Sequence, residues 1–129
     1  MRILVVDDTF DSRWGIADWL VAFVEAVAVE SAASAAEALQ LIERRKPDVV
    51  LATHAMDEGE ALELAQRIKA QPAPPAVVVL TDRSNAEFEA ACEAAGVDFC
   101  LEKRHLQARL LGFLQQRFSI RLAQMRLRG

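Results

Sequence analysis

Cysteine is scarce. Cys92 and Cys100 are the only two, they lack CxxC spacing, and two are too few for a secreted disulfide scaffold. They read as reduced thiols, which points to a cytoplasmic protein. An excess of basic charge is also missing: 15 Lys+Arg against 19 Asp+Glu leave a net charge of −4. A general nucleic-acid binder needs a basic surface, so that class is disfavoured. No apolar run approaches the ~18 residues needed to cross a bilayer. The opening Met1-Arg2-Ile3-Leu4-Val5-Val6-Asp7-Asp8 is too short and too soon charged for a signal peptide. There is no internal repeat and no low-complexity stretch. What remains is a chain of 129 residues, 53% of them apolar. That is enough for one core, which typically spans roughly 100–150 residues.

Four short apolar runs stand out: Ile3–Val6, Val49–Leu51, Val77–Leu80 and Val97–Leu101, the last interrupted by Asp98. They are near-continuous rather than alternating, as expected of parallel strands covered on both faces. Val27–Val29 is a fifth, weaker run. Between them lie segments of helical period. Ile16, Leu20, Phe23 and Val24 form one stripe, and Ala38, Leu41 and Ile42 a second, opened by Ser34 and Glu37 in capping-box spacing. Leu64, Ala65 and Ile68 form a third. Phe88, Ala91, Cys92 and Ala95 form a fourth, which Gly96 ends. The Pro-Ala-Pro-Pro stretch at 72–75 reads as a stiff loop before the fourth strand. Strand and helix thus alternate five times, which predicts an α/β, doubly wound parallel sheet with right-handed crossovers. In such sheets the working site lies at the carboxyl ends of the strands.

Those ends carry polar residues in a pattern. Asp7 and Asp8 end the first strand, Thr53 follows the third, Thr81 ends the fourth and Lys103 follows the fifth. Adjacent carboxylates repel unless a cation or a lysine offsets them. Hard oxygen ligands suit Mg²⁺, and a lysine with a hydroxyl suits a phosphoryl group. The plainer reading is that Asp7-Asp8 caps the first helix and Lys103 is a solvated charge.

Taken together, the residues resemble the response-regulator receiver family over about residues 2–118. The resemblance runs through Ile3–Asp8, Arg13, Glu37-Ala38-Leu39, Lys46–Leu51, Leu62-Glu63-Leu64, Leu80-Thr81, Gly96-Val97-Asp98 and Lys103. It implies a flavodoxin-like (βα)5 fold in three α/β/α layers, with strand order 2-1-3-4-5. It also implies Mg²⁺ on the acidic pair and phosphorylation by a partner histidine kinase, with Thr81 and Lys103 as the active-site hydroxyl and lysine. Residues 1–118 would be the receiver domain, and 119–129 a basic helix extension or linker stub.

The departures from the family cluster on the chemistry. The phospho-acceptor aspartate falls on Thr53, a poor nucleophile without a base, which also deletes one anionic metal ligand. Asp82 stands where a small residue is usual and would repel an incoming phosphate. Arg104 replaces the proline after the lysine. Cys100 takes the place of the switch aromatic, Asp57 that of a proline and Ala61 that of a glycine. Neither Asp48, at the far end of the third strand, nor Asp57, in the loop, is a good substitute acceptor.

These departures point to a stand-alone, atypical receiver of a two-component phosphorelay. It acts by protein–protein contact and not as an enzyme, with Asp7, Asp8, Thr53, Thr81, Asp82 and Lys103 as a remnant pocket. Those groups are expected to converge as a polar network in which Lys103 neutralises Asp7 and Asp8. Mg²⁺ would bind weakly at most. The partner would be a sensor kinase or a downstream effector, with homodimerisation through the fourth helix, fifth strand and fifth helix. The alternative is a phosphorylation-competent receiver. A flavin-binding protein of similar fold would need a hydroxyl- and glycine-rich phosphate loop where the chain has Asp7-Asp8. His54 and His105 read as loop side chains, and Trp14 and Trp19 as core packing or a partner-facing aromatic. The tail carries Arg117, Arg121, Arg126 and Arg128, with Phe118, Leu122 and Met125 at helical spacing.

Overall fold

The computed structural model describes residues 1–53 and 58–122. The strands are β1 (Arg2–Val6), β2 (Ala28–Ala32), β3 (Val49–Thr53), β4 (Ala76–Thr81) and β5 (Phe99–Glu102). The helices that alternate with them are α1 (Phe10–Phe23), α2 (Ala35–Arg45), α3 (Glu58–Lys69), α4 (Ala86–Ala94) and α5 (Leu111–Phe118). A 3-10 turn at Lys103–His105 and a π-helical turn at Leu106–Leu110 lead into α5. The strands form one parallel sheet, as the alternation predicts, in the order β2-β1-β3-β4-β5 that the resemblance implies.

Successive strand side chains point to opposite faces, so each apolar run feeds two cores at once. Leu4, Val6, Val50, Ala52, Val77 and Val79 pack with Ala38 and Ile42 of α2, Leu64 and Ile68 of α3, and Phe88 and Cys92 of α4. Ile3, Val5, Leu51, Val78, Leu80 and Leu101 pack with Ile16 and Leu20 of α1 and Leu114 of α5. Every residue of β3 and β4 is buried, which is why those runs read as continuous rather than alternating.

Local signals set the helix ends. Ser34 Oγ accepts the Glu37 N–H at 3.2 Å, and Glu37 Oε1 accepts the Ala33 N–H at 2.8 Å. The capping box therefore forms, with its return bond one residue before the cap. Asn85 caps α4 in the same way, its Oδ1 accepting the Phe88 N–H at 2.8 Å. Past the end of α4, Gly96 takes φ 85°, and a Cβ there would lie 3.3 Å from Lys69 Cγ. Both facts favour glycine.

Three expectations shift. The second strand covers Ala28–Ala32 rather than Val27–Val29. The fifth starts at Phe99, because Asp98 is taken up in a turn: its N–H donates to Val77 O, and its carboxylate accepts from Lys69 and the Val77 N–H. The helical extension beyond Phe118 does not hold over 119–122. Ser119 adopts φ 53° with its N–H on Gln115 O, and Leu122 then forms an antiparallel bridge with Val24. The rest of the expected stripe, Met125 with Arg126 and Arg128, lies outside the described residues. On α1, Trp19 is half-buried with its ring 5.4 Å from that of Phe23, whereas Trp14 is 54% exposed.

Candidate functional site

The strand order sets β1, β3, β4 and β5 side by side, so their carboxyl ends share one edge of the sheet. Asp7 comes directly after β1, Thr53 ends β3, Thr81 ends β4 and Lys103 comes directly after β5. Because Val6 is level with Ala52 in the register, Asp7 comes level with Thr53; because Thr81 is level with Glu102, Asp82 comes level with Lys103. Asp7, Thr53 and Thr81 are buried, and Asp8 and Asp82 are exposed.

Several of these groups make local hydrogen bonds. Asp7 Oδ1 accepts the Thr9 N–H at 2.8 Å, and the Asp7 carbonyl accepts a guanidinium N–H of Arg13 at 2.8 Å. The Asp8 carboxylate accepts the Thr9 hydroxyl at 3.4 Å. The α1 cap residue is Thr9, and neither Asp7 nor Asp8 fills that position. Thr81 Oγ1 donates to Arg83 O at 3.2 Å and closes its own turn. Two atoms, Asp7 Oδ2 and Thr53 Oγ1, are buried with no hydrogen-bond partner among the described residues. Such atoms carry a desolvation cost, and in folded proteins they are found where strain or a ligand accounts for them.

The expected single network does not form. Lys103 Nζ lies 3.9 Å from Asp82 Oδ1, and it is not paired with Asp7 or Asp8. The reason is topological. Asp82 is one strand away from Lys103, whereas Asp7 is three strand spacings away, about 14 Å at ~4.8 Å per strand. The lysine stem settles on the nearer carboxylate. That pair is weak, since the Asp82 side chain is 73% exposed.

Among the described residues, the oxygen donors that this edge offers a divalent cation are Asp7 Oδ2, the Asp8 carboxylate and the Thr53 hydroxyl. Among the described residues no group of three or more His, Cys, Asp or Glu side chains gathers as a metal site. At the end of β3, Thr53 offers a neutral hydroxyl, a weaker donor for Mg²⁺ than a carboxylate oxygen.

Other residues marked by the sequence are spread more widely. Cys100, on β5, is half-buried and packs on the cluster that contains Cys92. Arg104 donates Nε to Glu102 Oε1 at 2.7 Å. Ala61 is fully buried in α3. Asp48 lies at the opposite end of the sheet, where Oδ2 accepts the Arg2 N–H at 2.8 Å. His105 is exposed in the 3-10 turn, while His54 and Asp57 lie outside the described residues. An open groove of about 1100 Å³, lined by residues such as Lys46, Arg67, Pro72 and Arg117, sits at that same amino end and contains none of the strand-end polar groups.

Two further residues shape this edge. Glu102 Oε2 accepts the Ser84 N–H at 2.8 Å, tying the loop before α4 to the end of β5. That bond, with Arg104 beside it, lowers the Glu102 pKa. Arg13 holds the first strand end through the Asp7 carbonyl. Glu102 adjoins Lys103 in the chain, but no sequence pattern reveals that it reaches Ser84.

The family assignment agrees with this fold and strand-end arrangement. Residues 3–115 match the response regulator receiver domain, and the chain belongs to that family. A positive alginate biosynthesis regulatory protein of Pseudomonas aeruginosa is 37% identical over 92 residues, which are 70% of this chain and 37% of that protein. The signal receiver domain of a DNA-binding response regulator from Colwellia psychrerythraea superposes with a TM-score of 0.81 at 22% identity, covering 90% of this chain and 96% of that one. Vibrio cholerae chemotaxis protein CheY4 gives a TM-score of 0.76 at 26% identity, covering 89% and 96%. The chain spans less than half the length of the curated relatives it matches. Receiver domains are signalling modules that interact with kinases and effectors. No described helix is long and apolar enough to cross a membrane.

Proposed function

We propose that this receiver is an atypical one, signalling through contact with a partner protein and not through phosphorylation at the end of β3. The observation that carries the reading is Thr53. It stands where the resemblance puts the phospho-acceptor, and its hydroxyl is buried with no hydrogen-bond partner among the described residues. A threonine nucleophile needs a base in hydrogen-bond contact to take its proton, and none of the described residues makes that contact.

Two further facts support the reading. Asp82 adds a carboxylate beside the phosphoryl pocket and draws Lys103, the residue the family resemblance gives to the phosphoryl group. The short donor set also weakens Mg²⁺, so the charge neutralisation that phosphotransfer relies on is reduced. In this proposal Asp7, Asp8, Thr53, Thr81, Asp82 and Lys103 are the remnant of a phosphoryl pocket, and the domain has no catalytic role.

The partner is a sensor kinase or a downstream effector in the cytoplasm. The contact face is α4, β5 and α5, within residues 1–118, with 119–129 as a basic appendage. Charge supports that face for self-association as well. Glu87, Glu89 and Glu93 are exposed on α4, and Arg109 and Arg117 on the α5 side. A two-fold pairing sets the acids of one copy against the arginines of the other.

Incubation with acetyl phosphate and Mg²⁺, followed by intact mass measurement, tests the central claim. No phosphoryl adduct is expected. A stoichiometric gain of one phosphoryl group on a strand-end aspartate would instead make this a phosphorylation-competent receiver.

A further inference from the structure

Among the described residues, the large apolar side chains that stay exposed are Trp14, at 54%, and Val21, at 60%. Both belong to α1 and lie about two helical turns apart. Asp11 and Asp18, also exposed, repeat that spacing on the same helix, and Glu25 is exposed just past its end. At ~100° per residue, the two acids form one row along α1 and the two apolar residues a second row beside it. None of these three carboxylates is in an ion pair among the described residues. Arg13, the basic residue of α1, donates to the Asp7 carbonyl instead.

The chain supplies a segment of matching chemistry and delivers it to this helix. Beyond α5, Leu122 forms an antiparallel bridge with Val24, and Arg121 O accepts the Glu25 N–H at 2.9 Å. Antiparallel pairing sets a direction: past Leu122 the chain heads back toward Phe23 and the length of α1. Residues 123–129 lie outside the described residues. Their sequence alternates apolar Met125 and Leu127 with basic Arg126 and Arg128, and contains no acid.

We propose that the outer face of α1 is a docking surface for residues 123–129 of the same chain. The contact does not involve Thr53 and goes beyond the partner-binding reading. Reach is sufficient. Trp14 lies about 15 Å back from Val24 at ~1.5 Å per helical residue, a span that about five extended residues cover at ~3.3 Å each. An extended segment points alternate side chains to opposite sides, so Met125 and Leu127 would lie on the Trp14–Val21 row. Arg126 and Arg128 would then lie on the row of Asp18 and Asp11. Apolar burial supplies the attraction, and the charges fix direction and register. Docking covers α1 and leaves α4, β5 and α5 open to a partner.

The test is acrylamide quenching of Trp14 fluorescence in the whole chain, with Trp19→Phe leaving a single tryptophan. Arg126→Glu with Arg128→Glu should uncover the ring and raise the quenching constant roughly twofold. Asp18→Arg should also raise it, and Asp18→Arg combined with Arg126→Glu should bring it back toward the parent. The parent's value should not change with protein concentration. Tryptic cleavage after Arg126, followed by mass, gives a second measure that keeps Trp19: Asp18→Arg should speed it. Equal quenching in the parent and the Arg126→Glu, Arg128→Glu chain would overturn the docking, as would equal cleavage rates. A combined variant as quenchable as Asp18→Arg alone would overturn the charge register. Protection that grows with protein concentration would give the surface to the tail of a second copy and overturn the intramolecular contact.

Discussion

Replacing Asp98 with alanine removes the residue that ties four elements together. Its Oδ2 accepts Lys69 Nζ, at the end of α3, and the Val77 N–H of β4, both at 2.8 Å. Its Oδ1 lies 3.5 Å from Arg117 of α5, and its own N–H donates to Val77 O just before β5. The carboxylate side chain is 19% exposed, so water compensates for only part of the loss. Charge-assisted hydrogen bonds contribute about 1.5–3 kcal/mol each, but the partners recover part of that: Lys69 keeps Pro75 O at 3.1 Å, and Arg117 is half in solvent. The expected net cost is about 2–3 kcal/mol, a large share of the roughly 5–15 kcal/mol typical of a domain.

Asp98→Asn keeps an acceptor for Val77 while losing the charge, and should cost about 1 kcal/mol. In urea, a slope of roughly 1–3 kcal/mol per molar puts the alanine variant's midpoint about 1–2 M below that of the parent. The pH dependence adds a second check. Burial of this carboxyl favours its neutral form. The Lys69 and Val77 hydrogen bonds, with the charges of Lys69 and Arg117, outweigh that and lower the pKa from 3.8. A depressed folded-state pKa stabilises the fold above the unfolded value, and that contribution is lost as pH falls through the folded one. The gap between parent and Asp98→Ala should therefore be full at pH 7 and shrink below about pH 4. A midpoint shift under about 0.3 M at pH 7, or a gap that stays constant down to pH 2, would refute the argument.

The strand-end site and the core support further expected outcomes. Mg²⁺ titration monitored by Trp14 and Trp19 fluorescence should show no tight site; a dissociation constant in the low micromolar range would mean that another ligand completes the set. Thr53→Asp alone should restore little labelling by acetyl phosphate, and Thr53→Asp with Asp82→Ala clearly more. Equal labelling of the two variants would remove Asp82 from the explanation. Leu114→Ala, at a fully buried position on α5, should lose about 2–5 kcal/mol in urea unfolding. Ser34→Ala should cost about 1 kcal/mol through the lost Glu37 N–H bond, with Ser34→Gly costing less.

The parallel sheet is legible in the sequence because it rests on local chemistry, while its strand order is what the family resemblance implies. Runs such as Val49–Leu51 and Val77–Leu80 need cover on both faces, and capping pairs such as Ser34 and Glu37 act within one turn of chain. Strand ends at Asp7, Thr53, Thr81 and Lys103 then share an edge as a consequence of parallel winding, whatever their side chains do. What the sequence by itself does not determine is which groups meet. Asp98 reads along the chain as an interruption of a strand, but its partners Lys69, Val77 and Arg117 are distant in sequence and converge only when α3, β4 and α5 are packed. Lys103 is expected on Asp7 and Asp8 from the pattern of strand ends, yet its charge settles on Asp82 because one strand spacing is shorter than three. Helix and strand are decided by periodicity along the chain; ion pairs such as that between Lys69 and Asp98 are decided by distance across it, which only the packed fold sets.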